Sequence, residues 1–470
     1  MSQRRRRLTP EQRNRIMKKR RMQRFKKRLM IIVPVALVLI VVLILLLGGK
    51  KSDEVSQNEL TLQTEPTAET AVDGTIDKGI EGTETAETEV QASPTPSPTP
   101  TVDPQATAFD YDEAYAKAAT GEVTGPDVGY ELTGVDADKA DRWPEVEEGY
   151  IPIIYSANTT ENIIAVTVDD CFQGSNFRTI VQCAIDNSAK LTIFPIGENL
   201  ERDSVAEALR LAYQNGMEIG NHTYTHSGLF HYDQNRMSSE IWSQIQKVNE
   251  VLGVNYTQHF FRPRGGDERT CQRLHAYLNQ LGYKGMAIWS MSGSSSSLDE
   301  LYNDLAPGRV YLFHTTDKDL NTLLQFIPGA ISRGYRLVTL SEMFGLEENE
   351  VSEYKAETTV PELQSFKIIP KTLVKNNYNR ATEIMQQRLI DLGWMGGTAD
   401  GVYGQQSVLA VGFAQMAMEQ TPTGKADTEF QSVLFSDDAP TGSLEQIQAY
   451  CRQLGKSELK QLPGSDSSSD

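Results

Sequence analysis

The sequence predicts an α/β fold for its central region, a parallel sheet closing into a (β/α) barrel, with a small helical domain behind it and one transmembrane helix in front. Three observations carry this. Between residues 156 and 347, short apolar runs alternate with amphipathic stretches of helix length, the pattern of a parallel sheet clad in helices. The apolar runs end, one after another, in polar residues of kinds that do chemistry. Near the N-terminus, residues 29–47 contain no charge at all.

That uncharged run is long enough at helical rise to span ~30 Å, the thickness of a bilayer core. The first 28 residues carry 14 Lys or Arg and one acid, Glu11. Basic residues stay on the cytoplasmic side. Residues 1–28 therefore read as a basic cytoplasmic tail and 29–48 as a single-pass membrane anchor, with everything after it outside the cell. A cleaved signal peptide is the competing reading. The length of the run, and the lack of a small-x-small site in GGKKSDE, argue against it.

The whole chain carries a net charge of −18, and the first 51 residues hold 16 Lys or Arg against one acid, so −33 remains beyond them. An exterior this acidic excludes nucleic acid as an expected partner. Residues 49–108 are rich in Thr, Glu, Ser and Pro and end in SPTPSPTPTVDP. Such a composition buries no core and reads as an extended spacer. A lead-in segment covers 109–155. Four cysteines, without CxxC or zinc-finger spacing, do not make a disulfide framework and leave room for one disulfide.

In the central region, IIAVTV ends in Asp169-Asp170, KLTIFPI in Gly197-Glu198-Asn199, GMEIG leads into Asn221 and His222, and QHFF ends in Arg262. KGMAIWS leads to Met291 and Ser292, RVYLF ends in His314, and YRLVTL ends in Ser341-Glu342. In a parallel barrel the carboxyl ends of the strands gather at one mouth. Asp169, Asp170, His222, His226, Arg262 and His314 would converge there. One carboxylate with two imidazoles makes a three-ligand site with an open position, which suits a catalytic divalent metal such as zinc. A spare carboxylate can take a proton from water, and a separate histidine can protonate a leaving group. That set describes metal-assisted hydrolysis of an amide or ester. His231, His259 and His275 fit no such pattern and read as surface or packing residues.

Four motifs in this order, TVDD (167–170), HTYTH (222–226), RPRGG (262–266) and LFH (312–314), resemble those of the NodB-like polysaccharide deacetylases, of carbohydrate esterase family 4 type. The resemblance covers roughly 156–347 and implies that family's distorted (β/α) barrel. It implies a metal held by Asp170, His222 and His226, with Asp169 as the base that activates water. Arg262 would orient and charge-pair that base, and His314 would protonate the departing amine. Leu312 would line the acetyl pocket, and Trp289 counts among the substrate-facing residues. The Gly265 amide would help stabilise the oxyanion, an effect worth ~3 kcal/mol.

The sequence departs from the family in three places. Arg264 and Gly265 stand where a second Pro and an aromatic are usual. The Asp that tunes the catalytic histidine is replaced near Ser292, in SMSGSSSS, with Asp267 and Asp299 as nearby alternatives. Cys171-Phe172 follow the paired acids in place of Gly-Pro. Cys171 reads either as a small buried hydrophobe or as a thiol beside the metal.

After a linker over 348–372, residues 373–436 show helical periodicity at Ala381, Ile384, Met385, Leu389 and Leu392, a stop at Gly393 and a second helix from Ser407. LGW, DGVYG and SVLAV resemble the three-helix peptidoglycan-binding domain. The tail, 437–470, contains one more short helical stretch, SLEQIQAYCRQLG. The combination implies a membrane-tethered, metal-dependent N-deacetylase of peptidoglycan or a related acetylated glycan. Two alternatives stand beside it: an O-acetyl esterase, or a deacetylase of another glycan, with the same site, and a non-catalytic wall-binding protein with a decayed deacetylase domain.

Overall fold

The computed structural model describes residues 109–453. The expected anchor, the tail before it and the spacer lie outside the described residues, and no described helix is long and apolar enough to cross a membrane. Helix α1 (Tyr111–Ala119) comes first, then β1 (Ile153–Ile154), β2 (Ile163–Asp170), α2 (Gly174–Asp186), β3 (Thr192–Pro195), α3 (Asp203–Gln214) and β4 (Glu218–Ile219). They are followed by α4 (Gln234–Leu252), β5 (Val254–Tyr256), β6 (Phe260–Phe261), α5 (Gln272–Gln280), β7 (Gly285–Ala287), β8 (Met291–Ser292) and α6 (Leu298–Asp304). Then come β9 (Val310–Phe313), α7 (Asp317–Ser332), β10 (Arg336–Leu337), α8 (Leu340–Phe344) and β11 (Val351–Glu353). The small domain is built from α9 (Arg380–Asp391), α10 (Gln405–Ala417), α11 (Thr428–Leu434) and α12 (Leu444–Gln453).

All seven apolar runs contain a strand. Their hydrogen bonds form two parallel sheets, one in the order β4-β3-β2-β9-β8 with β10 also on β2, the other in the order β1-β7-β6. An isolated parallel bridge between Asn221 and Phe261 links the sheets on one side. On the other side the chain between β7 and β8 bonds to both: Ile288 N–H donates to Ile154 O, and Ser290 N–H donates to Val310 O. Strand β2 is buried on both faces up to Asp169, as a central strand of a helix-covered parallel sheet must be. Helices α2 and α3 turn Phe177, Ile180, Val181 and Ala184, and Val205, Ala208, Leu209 and Ala212, into the same core. The antiparallel pair β11–β5 was not expected, since residues 351–353 lie in the stretch read as a linker.

The lead-in and the linker do structural work. Tyr111, Tyr115, Leu363, Phe366, Ile368 and Ile384 share one apolar cluster with Leu274 and Met286. Tyr115 Oη donates to Gln431 Oε1 at 2.7 Å, and its ring meets Phe435 edge-on at 6.0 Å. Arg380 pairs with Asp112 and with Glu383. Helix α1 thus joins the deacetylase-like region to the small domain. That domain packs Met385, Leu389, Trp394, Val411, Phe413 and Phe430 with Ile447 from α12, so a fourth helix completes the expected three.

Replacing Tyr115 by alanine removes a fully buried ring and a hydrogen bond, so a loss of about 3–5 kcal/mol is expected. Denaturant unfolding should show it, together with faster proteolysis between residues 348 and 372; unchanged cleavage there would reject the docking role of α1.

Candidate metal centre and active site

Strand β2 delivers Asp169 and Asp170 to the carboxyl edge of the larger sheet, where their backbone pairs with Phe194 and Pro195. The chain then turns sharply. Asp170, Cys171, Thr223 and His226 all have positive φ, between 55° and 67°. Non-glycine residues rarely adopt this region, and each costs on the order of 1–3 kcal/mol. The local network holds them there. Asn199 Nδ2 donates to Asp170 O, Thr223 N–H donates to Asn221 Oδ1, and His226 N–H donates to Thr223 Oγ1. Asn221 is fully buried and donates to Ile241 O at 3.1 Å. The four-residue spacing of His222 and His226 is therefore met in a left-handed turn, not on a helical face.

This turn brings the two imidazoles onto Asp170. His222 Nε2 stands 3.3 Å and His226 Nε2 3.5 Å from Asp170 Oδ1. One ligand atom from each residue lies within 4.8 Å of the others. Asp170 Oδ1 is buried and has no hydrogen-bond partner. His222 Nδ1 lies 2.7 Å from Arg262 O, and a carbonyl accepts, so in the neutral ring the proton sits on Nδ1 and Nε2 presents a lone pair. Bare nitrogen facing bare carboxylate oxygen is repulsive unless a cation lies between, so the donor set fits a divalent metal. Burial works against charge on His222, yet the nearby Asp169 and Asp170 carboxylates outweigh it and raise the ring above its ordinary value. His226 is pushed down to about 4 by burial and then by His222.

Asp169 does not join this cluster as a ligand. Its Oδ1 accepts from Arg262 Nη1 at 2.7 Å, and its Oδ2 stands 3.7 Å from His222 Nε2. Arg262 has no exposed surface and uses its donors on Thr167 Oγ1, Ala287 O and Ile288 O as well. Its guanidinium lies 4.3 Å from the Phe194 ring centroid and 5.8 Å from that of Trp289.

His314, at the end of β9, is held from the side. Its Nδ1 is 2.8 Å from Ser294 Oγ, which donates to Asp319 Oδ2 at 2.9 Å. Asp319, in the first turn of α7, is the carboxylate nearest this ring. Neither expected alternative takes that place: Asp299 lies in the first turn of α6, and Asp267 stands beside Gly265. Ser292 uses its carbonyl to accept from the hydroxyls of Ser295 and Ser296.

The remaining candidates fall around this centre. Leu312 is buried on β9 opposite Thr167 and Ser292. Gly265 and Gly266 are both left-handed, which explains two glycines in RPRGG; Gly266 faces the Trp289 ring closely enough that a Cβ would touch it. Cys171 is fully buried, and burial followed by Asp170 and Asp169 pushes its thiol well up, so it is a packing residue rather than a thiolate. His259 and His275 are buried and pushed down to about 4 by that burial, and His231 is exposed. A cavity of about 1030 Å³ opens at the opposite end of the strands, lined by Lys190, Glu218 and Ser341, and contains none of these groups.

Residues 156–286 match the family described as "Polysaccharide deacetylase", and residues 379–434 match "Putative peptidoglycan binding domain". The chain carries a polysaccharide deacetylase domain. The domain is that of a hydrolase. A peptidoglycan-N-acetylglucosamine deacetylase of Bacillus cereus is 28% identical over 192 residues, 38% of this chain and 68% of that protein. A chitooligosaccharide deacetylase of Azorhizobium caulinodans is 27% identical over 172 residues, 34% of this chain and 77% of its own. The crystal structure of a peptidoglycan N-acetylglucosamine deacetylase superposes with a TM-score of 0.38 at 22% identity, covering 41% of this chain and 93% of that one.

Two tests follow from the deacetylase domain's geometry. Arg262→Ala would leave Asp169 buried without its cation and should cost about 3–5 kcal/mol, read from denaturant unfolding. Glu268, almost fully buried, accepts from Leu229 N–H, and burial raises its carboxyl to about 7. Its folded value lies above its unfolded one, so its stabilising contribution is complete below pH ~4.5 and lost as pH rises to about 7. Glu268→Gln should then raise the Tm at pH 8 relative to the parent and not at pH 4; an equal shift at both would refute the assignment.

Proposed function

We propose that the protein is a membrane-anchored, divalent-metal-dependent N-deacetylase that removes acetyl groups from N-acetylglucosamine units of peptidoglycan on the outer face of the cell membrane, with zinc as the expected metal. One observation carries the reading: Asp170 Oδ1, buried without a partner, lies between two imidazole nitrogens while a second carboxylate, Asp169, is held apart on Arg262. The substrate rests on the small domain's match, on the named relatives and on the uncharged run over 29–47. The two parallel sheets, bridged at Asn221 and Phe261 and by the chain between β7 and β8, are read as one distorted barrel.

Asp170, His222 and His226 would hold the metal. When bound, the cation lowers the pKa of water and polarises the acetyl carbonyl. The chain's own groups supply the rest. Asp169, fixed by Arg262, accepts a proton from the attacking water. His314 gives a proton to the amide nitrogen as the C–N bond breaks, so the sugar leaves as an amine and the acyl group as acetate. Leu312 would close the acetyl side, and the Gly265 amide would donate to the carbonyl oxygen as negative charge grows on it.

Purified full-length protein should release acetate from peptidoglycan, lose that activity to a chelator and regain it with zinc. Product mass should fall by one acetyl per sugar. Release from O-acetylated but not N-acetylated sugars would favour esterase action instead. Asp169→Asn should retain metal and lose activity at least about a hundredfold; Asp170→Ala or His226→Ala should lose the metal itself, measured by elemental analysis.

A further inference from the structure

We propose that Asp319 is the positioning carboxylate for His314 and acts on it through the hydroxyl of Ser294. The inference deepens the proposed function by naming what prepares the proton donor of the same site.

A simpler role for Asp319 is that of an acid at a helix start, favoured there by the helix dipole. Its N–H does donate to the Thr316 cap, as such residues do. Acids that serve only this purpose lie in solvent, however, whereas Asp319 has no exposed surface. Its Oδ2 accepts from Ser294 Oγ at 2.9 Å and from His314 N–H at 3.0 Å, and stands 3.6 Å from His314 Nδ1. Burying a carboxylate is costly unless it is paired and hydrogen-bonded, and both donors to Oδ2 belong to His314 and Ser294.

The hydroxyl defines the direction of the chain. A serine has one proton to give. Ser294 gives it to Asp319, so its oxygen accepts from His314, and Nδ1 must carry hydrogen. Nε2 is then the atom that gains or loses the proton exchanged with a ligand. The carboxylate also favours the imidazolium over the neutral ring. Burial opposes charge on His314, and Asp319, with Asp169 and Asp170 farther off, raises it above its ordinary value. Lys318, on the same helix, contacts Ser294 through its carbonyl and not its hydroxyl.

This arrangement replaces the acid missing near Ser292 with one from a different element. The tuning carboxylate comes from α7, five residues beyond the histidine, and a serine of the SGSSSS loop spans the gap. A decayed site would have no reason to keep a buried acid aimed at an otherwise idle imidazole.

The test uses full-length protein labelled at histidine ring carbons, with His314→Gln to assign the resonance. Asp319→Asn should lower the midpoint of His314 by about one pH unit or more, the size expected for a close opposite charge. Ser294→Ala should lower it in the same sense, and Ser294→Thr, which keeps the hydroxyl, should restore it. A general acid must be protonated, so activity falls as pH rises through that midpoint. In turnover, the basic limb of kcat/KM should move down by the same amount in Asp319→Asn and Ser294→Ala, about tenfold at pH 8 per unit, with metal content and KM unchanged. An unmoved His314 midpoint in both variants would overturn the relay. Should Asp319→Asn not fold, the alanine and threonine variants of Ser294 decide alone. If the parent releases no acetate, the proposed function fails, and the ring titration still decides the relay.

Discussion

A guanidinium with no contact to water must place its donors on protein acceptors, and Arg262 does this with parts of three strands. Its side chain reaches Thr167 and Asp169 of β2 and the carbonyls of Ala287 and Ile288 at and beyond the end of β7, while its backbone follows β6. The same residue's carbonyl accepts from His222 Nδ1. One residue thereby holds the proposed base by its charge and sets the tautomer of a proposed metal ligand by its main chain. A buried pair of this kind adds little net stability compared with apolar packing, so its value is positional. The two sheets need a common reference where β2, β6 and β7 end, and this cation supplies it.

The backbone around it is arranged against local preference. Asp170 and His226, both in the candidate ligand set, are left-handed, as are Cys171 and Thr223 beside them. Strain of this sort persists only where the surroundings over-determine it. Here Asn221 is anchored to Ile241 O and Tyr283 Oη, and Thr225 bonds Glu240 through both its amide and its hydroxyl. Buried Asn221 and Glu240 are therefore as necessary to the ligand geometry as the ligands. Loss of such supports leaves the three donor atoms in the chain but not at one point.

The strands were legible because burial on both faces leaves a direct mark in composition: β9 is wholly apolar or aromatic, β2 is mostly Ile and Val until its polar end, and β3 carries Ile193 and Phe194 at its centre. The candidate site residues stood out for the same reason: Asp170, His222 and Arg262 stand where such runs stop. Conformation was not. HTYTH has the spacing of a helical turn, and nothing in its composition announces the left-handed kinks at Thr223 and His226. Asp319 was hidden differently. DKDL after a threonine is a helix start by every local rule, and only the packing of α7 against the loop at Ser294 gives the acid a second role. The lead-in concealed its part as well, since Tyr111 and Tyr115 find their partners, Arg273, Gln431 and Phe435, far along the chain.

That packing also determines how the small domain can act. A module joined by a slack linker would only raise the local concentration of its target. Here α1, the strand β11 and the apolar cluster around Phe366 leave little slack, and the contact continues up to the loop that carries His226. Phe230, four residues after His226, lies with its ring centroid 4.2 Å from that of Tyr378. Gly401, with φ of 69°, approaches the same ring so closely that a Cβ would stand 2.5 Å from it. The turn preceding α10 thus braces the far end of the segment that begins at His226. Under the proposed function, a glycan held by the small domain would meet the candidate site at an offset set by these contacts.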